Sequence, residues 1–153
     1  MVTRARDAGP LAREIEHTAD LGLEVEAPTL AGLFERAGLA VLGLMVDLRA
    51  VEPRERVALA VAAEDRVALL HDWLQTLLVR VTTDGFVPAE LCVEEATERS
   101  VCGWGAGERL DPSRHALYSE IKGVSYHELA VRETPSGWWA RVIVDVLPSL
   151  VFP

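Results

Sequence analysis

Cysteine is scarce in this chain: two residues in 153, Cys92 and Cys102, too few for a disulfide scaffold. They could face each other across a hairpin. Without a C-x-x-C spacing or an export signal, they read as reduced core thiols. Long apolar runs are missing as well. No uninterrupted stretch much exceeds Leu39 to Val46, so nothing predicts a bilayer span. The opening M-V-T-R-A-R-D-A-G-P leads into no apolar segment of the kind a secretory signal needs, and the cytoplasm is the expected compartment.

Positive charge is in short supply. Lys and Arg total 15 against 24 Asp and Glu, a formal net charge of −9. A protein that neutralised many phosphates would carry the opposite sign, so autonomous, salt-sensitive nucleic-acid binding is not expected and a basic protein partner fits the charge better. Lysine is the scarcest cation: Lys122 stands alone among fourteen arginines. A compact, strongly hydrated ammonium does what a planar guanidinium cannot, so its retention marks a candidate functional residue, with codon bias as the rival explanation.

What is present specifies one globular domain. Half the residues are hydrophobic and a quarter charged, and a chain of this length buries roughly 70% of its unfolded surface. The domain is expected over residues 12–147, with 1–11 and 148–153 as terminal tails. Leu23 and Val25 alternate with Glu24 and Glu26, a strand with one wet face. Thr29 is a plausible N-cap for a helix whose stripe runs Leu30, Leu33, Phe34, Ala37, Val41, Leu44 and ends near Asp47. Arg54 to Ala62 returns to period two. Asp65 caps a second helix with Leu70, Trp73, Leu74, Leu77, Leu78 and Val81 buried, stopped by Thr83-Asp84-Gly85.

Strand patterns then follow over 87–96, 100–110, 117–132 and 138–147, with the clearest turn at Thr134-Pro135-Ser136-Gly137. The order β-α-β-α-β-β-β-β predicts an α+β domain, two helices packed on a largely antiparallel sheet.

Four places carry polar groups that could do chemistry. His17 to Asp20, H-T-A-D, is either a capping loop or a ligand or acid–base cluster. Asp145 lies in V-I-V-D-V-L on the face of Ile143; buried there, an ionised carboxylate would cost several kcal/mol unless paired, and on an edge strand it would simply face water. Glu120 and Lys122 share a strand face, with Tyr126 and His127 beyond them; a surface ion pair is the plain alternative. Gly107 to His115 is a polar loop whose acids and histidine read equally as solvated turn residues. If the fold brings Asp20 and Asp145 together, they form a hard oxygen site suited to Ca²⁺, Mg²⁺ or Mn²⁺.

Other patterns carry less. Gly103-Trp104-Gly105-Ala106-Gly107 precedes no helix, so it is no phosphate cradle. His71 and Asp72 are adjacent on a helix and expected to point apart. The four tryptophans lack basic interleaving and read as core and rim.

In combination the motifs resemble the archease family. The matching segments are H-T-A-D-L-G-L, A-P-T-L-A-G-L-F-E-R-A, L-L-H-D-W-L-Q-T-L-L, G-E-R-L-D-P-S-R-H, E-I-K-G-V-S-Y-H-E-L and W-A-R-V-I-V-D-V, in the family's order. The resemblance runs from about Arg13 to Val146. It implies an accessory protein of tRNA splicing and RNA repair, not an enzyme, that stimulates an RtcB-type RNA ligase. The implied activity is to promote the ligase's guanylylation by GTP and its multiple turnover, and to widen its nucleotide use.

It further implies a divalent cation, usually calcium, held by the side chains of Asp20 and Asp145 and the main-chain carbonyl of Val146. Lys122 would be the essential lysine; Glu120, His17 and His127 are the further candidate functional residues. Gly123 and Ser125 depart from the family's more frequent Ala and Thr, and Leu147 to Pro153 extends beyond its usual end. Two other classes are weighed beside this: a metal-dependent hydrolase or nuclease acting alone, and a structural or chaperone-like module with an incidental cation.

Overall fold

The architecture comes from a computed structural model that describes residues 2–7, 9–15 and 21–148. The first helix, α1 (Leu30–Leu42), starts where Thr29 Oγ1 accepts the Gly32 N–H at 3.0 Å. It ends at Gly43, earlier than its apolar stripe, and a 3-10 turn at Leu48–Ala50 follows. The second helix, α2 (Arg66–Thr82), begins in the same way, Asp65 Oδ1 accepting from Ala68 N–H at 2.8 Å. Its buried stripe includes every apolar position anticipated from the spacing, Leu69 being an addition.

Eight strands complete the fold among the described residues: β1 (Val2–Arg4), β2 (Arg13–Ile15), β3 (Leu21–Ala27), β4 (Glu55–Ala62), β5 (Phe86–Ala96), β6 (Ser100–Arg109), β7 (Ser119–Thr134) and β8 (Gly137–Pro148). They make two antiparallel sheets in place of the single one expected, ordered β1-β5-β6-β4 and β2-β3-β8-β7. The consecutive pairs β5–β6 and β7–β8 each stay within one sheet, whereas β3 and β4, separated by α1, go to different sheets. Both helices touch both sheets: α1 packs on β5, β3 and β8, and α2 on β7 and β4. One core results, with Phe34, Trp73, Leu91 and Val142 all essentially inaccessible.

The short strands β1 and β2 escaped the sequence reading because three-residue segments show no periodicity. Val2–Arg4, expected in a tail, pairs with β5. Its anchor is Glu35, buried on α1: Glu35 accepts from Thr3 Oγ1 at 2.7 Å and from Val93 N–H at 2.7 Å. The register shift between Val93 and Glu95 accompanies this hydrogen bond from β5 to a helix. Burial pushes the Glu35 carboxyl above its ordinary value, against the opposing pull of those two hydrogen bonds.

The cysteines depart from expectation. Cys102 is exposed, and it lies opposite Glu95, so the cysteines are free and one of them is no core thiol. Trp73 lies in the core and the other three tryptophans at its rim, as expected, and each of the three also has a guanidinium against its ring: Arg56 lies 3.8 Å from the Trp104 ring centroid, Arg66 4.8 Å from Trp138, and Arg132 4.6 Å from Trp139. Those pairs join residues distant in sequence or across a hairpin, which linear interleaving does not reveal.

The glycine-rich run belongs to β6, as a strand and not a cradle. At Gly103 and Gly107 a Cβ would overlap the main-chain carbonyl oxygens of Cys92 and Val87, so β5 can approach only glycine there. At Gly105 a Cβ would meet only side-chain atoms, the nearest at 3.2 Å. Gly103→Ala should therefore lose about 3 kcal/mol or more of stability in urea denaturation, and Gly105→Ala about 1 kcal/mol or less. Equal losses would contradict this account of the run.

Candidate functional site at the β3–β8–β7 junction

β8 is an interior strand, paired with β3 on one side and β7 on the other. Leu21 lies opposite Val144 across β3–β8. Asp145 follows Val144 in the chain and Asp20 precedes Leu21, so each motif aspartate is bonded to one member of that pair. His17 and Asp20 themselves lie outside the described residues.

Across β8–β7 the register shifts by one residue. Ile121 pairs with Val146 and Gly123 with Asp145, leaving Lys122 as the extra residue of a β-bulge. Ile121 and Val124 stay buried on either side, and Lys122 is exposed. The bulge thus presents the only lysine of the sequence at the register position of Asp145 and Val146. Glu120, also exposed, lies opposite Leu147.

The Asp145 carboxylate is exposed although β8 is no edge strand, so the burial cost anticipated for it does not arise. It sits near the end of the strand, where the sheet's outer face opens to solvent. An exposed carboxylate beside a main-chain carbonyl offers hard oxygen donors only, which fits Ca²⁺, Mg²⁺ or Mn²⁺. Among the described residues no three His, Cys, Asp or Glu side chains converge as a metal cluster.

His127 is placed elsewhere on β7. A second irregularity spans Ser125 to Ala130, with Glu128 at φ 59° and its carbonyl accepting from Arg141 Nε at 2.7 Å. His127 is exposed within it, its N–H donating to Ser125 Oγ at 3.0 Å.

Two side-chain groups were missed from sequence. His71 and Asp72 do meet: His71 Nδ1 lies 3.0 Å from Asp72 Oδ1, because β7 draws the imidazole back through a contact of 3.0 Å between Nε2 and the Val124 carbonyl. His115 is not a solvated turn residue but fully buried. Asp111 N–H donates to His115 Nδ1 at 2.9 Å, which leaves Nε2 as the protonated nitrogen, donating to Glu108 Oε2 at 2.9 Å. Glu108 also accepts from Glu52 N–H at 2.8 Å, Arg54 Nε at 3.1 Å and Arg114 at 2.5 Å. Only the hydrophilic look of the G-E-R-L-D-P-S-R-H loop was visible beforehand, and it pointed the wrong way.

Comparisons with known proteins agree with the fold. Residues 13–146 match the model of the Archease protein family (MTH1598/TM1083). The chain belongs to the archease family. The protein archease of Methanopyrus kandleri is 39% identical over 136 residues, covering 87% of this chain and 97% of that protein. The protein archease of Thermococcus gammatolerans is 37% identical over 135 residues, covering 86% and 95%. The solution structure of Methanobacterium thermoautotrophicum protein 1598 superposes with a TM-score of 0.70 at 28% identity, covering 88% of this chain and 97% of that one. A Thermotoga maritima archease, described as a possible chaperone, shares the fold with a TM-score of 0.57 at 16% identity. Among the described residues of this archease-family chain, no helix is long and apolar enough to cross a membrane.

The buried Glu108 cluster gives this archease-family fold a pH signature. Burial alone would raise the Glu108 carboxyl. The hydrogen bonds from Glu52 N–H, His115 and Arg114, with the charge of Arg114, outweigh it and bring the pKa down to about 2. A carboxylate depressed in the folded state stabilises above its unfolded pKa and loses that contribution as pH falls through the folded value. From pH 6 to pH 3 the Glu108 contribution should fall by about 2 kcal/mol in urea denaturation. That increment should vanish in Glu108→Gln; an equal acid loss in the variant would contradict the assignment.

Proposed function

We propose that this chain is a non-enzymatic activator of an RtcB-type RNA ligase, promoting guanylylation of the ligase by GTP and thereby repeated turnover. Membership of the archease family supports the class of function. The observation that carries the reading within this chain is the β7 bulge, which sets Lys122 opposite the Asp145–Val146 step of β8.

The chemistry follows from charge. GTP carries several negative charges, and nucleophilic attack on its α-phosphate becomes easier when they are neutralised and the leaving pyrophosphate is oriented. The Lys122 ammonium, exposed and held on a sheet, would donate to phosphate oxygens presented by the ligase. Asp20, Asp145 and the Val146 carbonyl would hold a divalent cation, with Ca²⁺ expected and Mg²⁺ or Mn²⁺ as alternatives; such an ion supplies further neutralisation of phosphate charge. Glu120 lies beside Lys122 on the same exposed edge and would orient its ammonium. The nucleophile would be the ligase's own histidine, and the chain's net charge of −9 suits docking on a basic protein surface. RNA would be met through the ligase, and the cytoplasm is the compartment this role implies.

A cognate ligase, GTP and RNA ends bearing 2′,3′-cyclic phosphate or 3′-phosphate and 5′-hydroxyl groups provide the test. Wild-type protein should raise ligase-GMP formation and multiple-turnover ligation, and Lys122→Ala and Asp145→Asn should each lower that stimulation by roughly tenfold or more. No stimulation by the wild type would overturn the proposal. RNA cleavage by the purified chain alone, abolished by chelation and by Asp145→Asn, would establish the hydrolase class in its place. Equal stimulation by wild type and Asp145→Asn would leave the chaperone-like module.

A further inference from the structure

We infer that Gln75 and His71 of α2 are positioning residues that hold the β7 bulge and so fix where Lys122 is presented; this rests on the function proposed above. Among the described residues β7 is the outer strand of its sheet, with β8 on one side only. An outer strand leaves main-chain groups unpaired, and here one helix supplies partners for both groups of one residue. Val124 N–H donates to Gln75 Oε1 at 2.9 Å, and the Val124 carbonyl lies 3.0 Å from His71 Nε2. His71 and Gln75 are four residues apart on α2, hence on one face, and together they act as a short surrogate strand.

The supports of this clamp are specific. Asp72 Oδ1 lies 3.0 Å from His71 Nδ1, which aims the other ring nitrogen at Val124. The Tyr126 ring stacks on the imidazole, centroids 3.9 Å apart and planes within 15°. A Cβ at Gly123 would stand 3.4 Å from Gln75 Oε1, so the acceptor sits directly against the bulge.

Why this matters for Lys122 is a question of register. A one-residue slip of a strand moves every side chain to the opposite face. Lys122 is the inserted residue, two positions from the clamped Val124, and the bulge lets both Ile121 and Val124 enter the core. Losing the hydrogen bonds at Val124 frees the bulge to migrate or to fluctuate, and Lys122 then leaves the position opposite Asp145. A purely structural role for the same contacts would lower stability without touching activation by the folded molecule.

The test uses Gln75→Ala, Gln75→Glu and Lys122→Ala in the full chain, at a temperature where each is folded by circular dichroism. The ligase is titrated with each protein, and the plateau of ligase-GMP formation is separated from the half-saturating concentration. Gln75→Ala should lower the plateau by about tenfold with the half-saturating concentration within about twofold of wild type, as expected for lost positioning with intact docking. Gln75→Glu, which keeps the acceptor oxygen, should restore the plateau to within about twofold. Independently of the ligase, hydrogen exchange at the Val124 amide should accelerate about tenfold in Gln75→Ala and not in Gln75→Glu.

A wild-type plateau for Gln75→Ala, while Lys122→Ala has lost its stimulation, overturns the positioning role and spares the proposed function. No stimulation by the wild type overturns the function, whereas a wild-type plateau for Lys122→Ala overturns the role of Lys122 and with it the need for a clamp. Equal plateau losses in Gln75→Ala and Gln75→Glu would overturn the role of the acceptor oxygen.

Discussion

The antiparallel seating of β8 between β3 and β7 is the constraint on which the rest depends. β8 lies late in the sequence and β3 early, so their pairing, from Leu21 opposite Val144 to Ala27 opposite Trp138, closes the domain. Val142 and Val144 on β8 are inaccessible, so that register is enforced by core burial and not by the exposed residues that would do chemistry. On the other flank, β7 keeps its own apolar residues inward only by spending one residue on a bulge. Lys122 is that residue. A packing requirement and the proposed presentation of Lys122 would thus be met by the same irregularity.

The two buried acids show how polar groups hold the periphery of this core. Glu35 links α1 to β1 and to the bulged part of β5, whereas Glu108 links the end of β6 to the segments around Glu52, Arg54 and His115. Their environments differ in kind. Glu35 accepts from two neutral donors, and burial prevails, raising its pKa. Glu108 accepts from two arginines, a histidine and a main-chain N–H, and those donors prevail, lowering it. Neither lies on the Lys122–Asp145 edge, so each is best understood as fastening strands and turns.

Much of this was legible in the residues, for reasons that can be stated. Thr29 and Asp65 announced their helices because capping chemistry is local, and the α2 stripe announced its buried face because spacing alone sets it. The Thr134–Gly137 turn was likewise local. What escaped depends on distant partners. The division into two sheets, the strands β1 and β2, the burial of His115 and the approach of His71 to Val124 all require knowing which segment packs against which. The bulge at Lys122 escaped for a subtler reason: E-I-K-G-V reads as plain alternation until β8 shows that Ile121 and Val124 must both face inward. Asp145 was legible as an anomaly, but its exposure at the strand end was not, since alternation describes faces and says nothing of where a face opens.

The proposed cation at Asp145 and Val146 on β8 would act as a unit with the Lys122 ammonium on the neighbouring strand β7. Titration of the ¹⁵N-labelled protein with Ca²⁺, followed by amide chemical shifts, tests that most directly. Saturable shifts centred on Leu21, Lys122, Gly123, Asp145 and Val146, and absent in Asp145→Asn, are predicted. Saturable shifts centred on other parts of the chain, or none at these five amides at millimolar Ca²⁺, would contradict it.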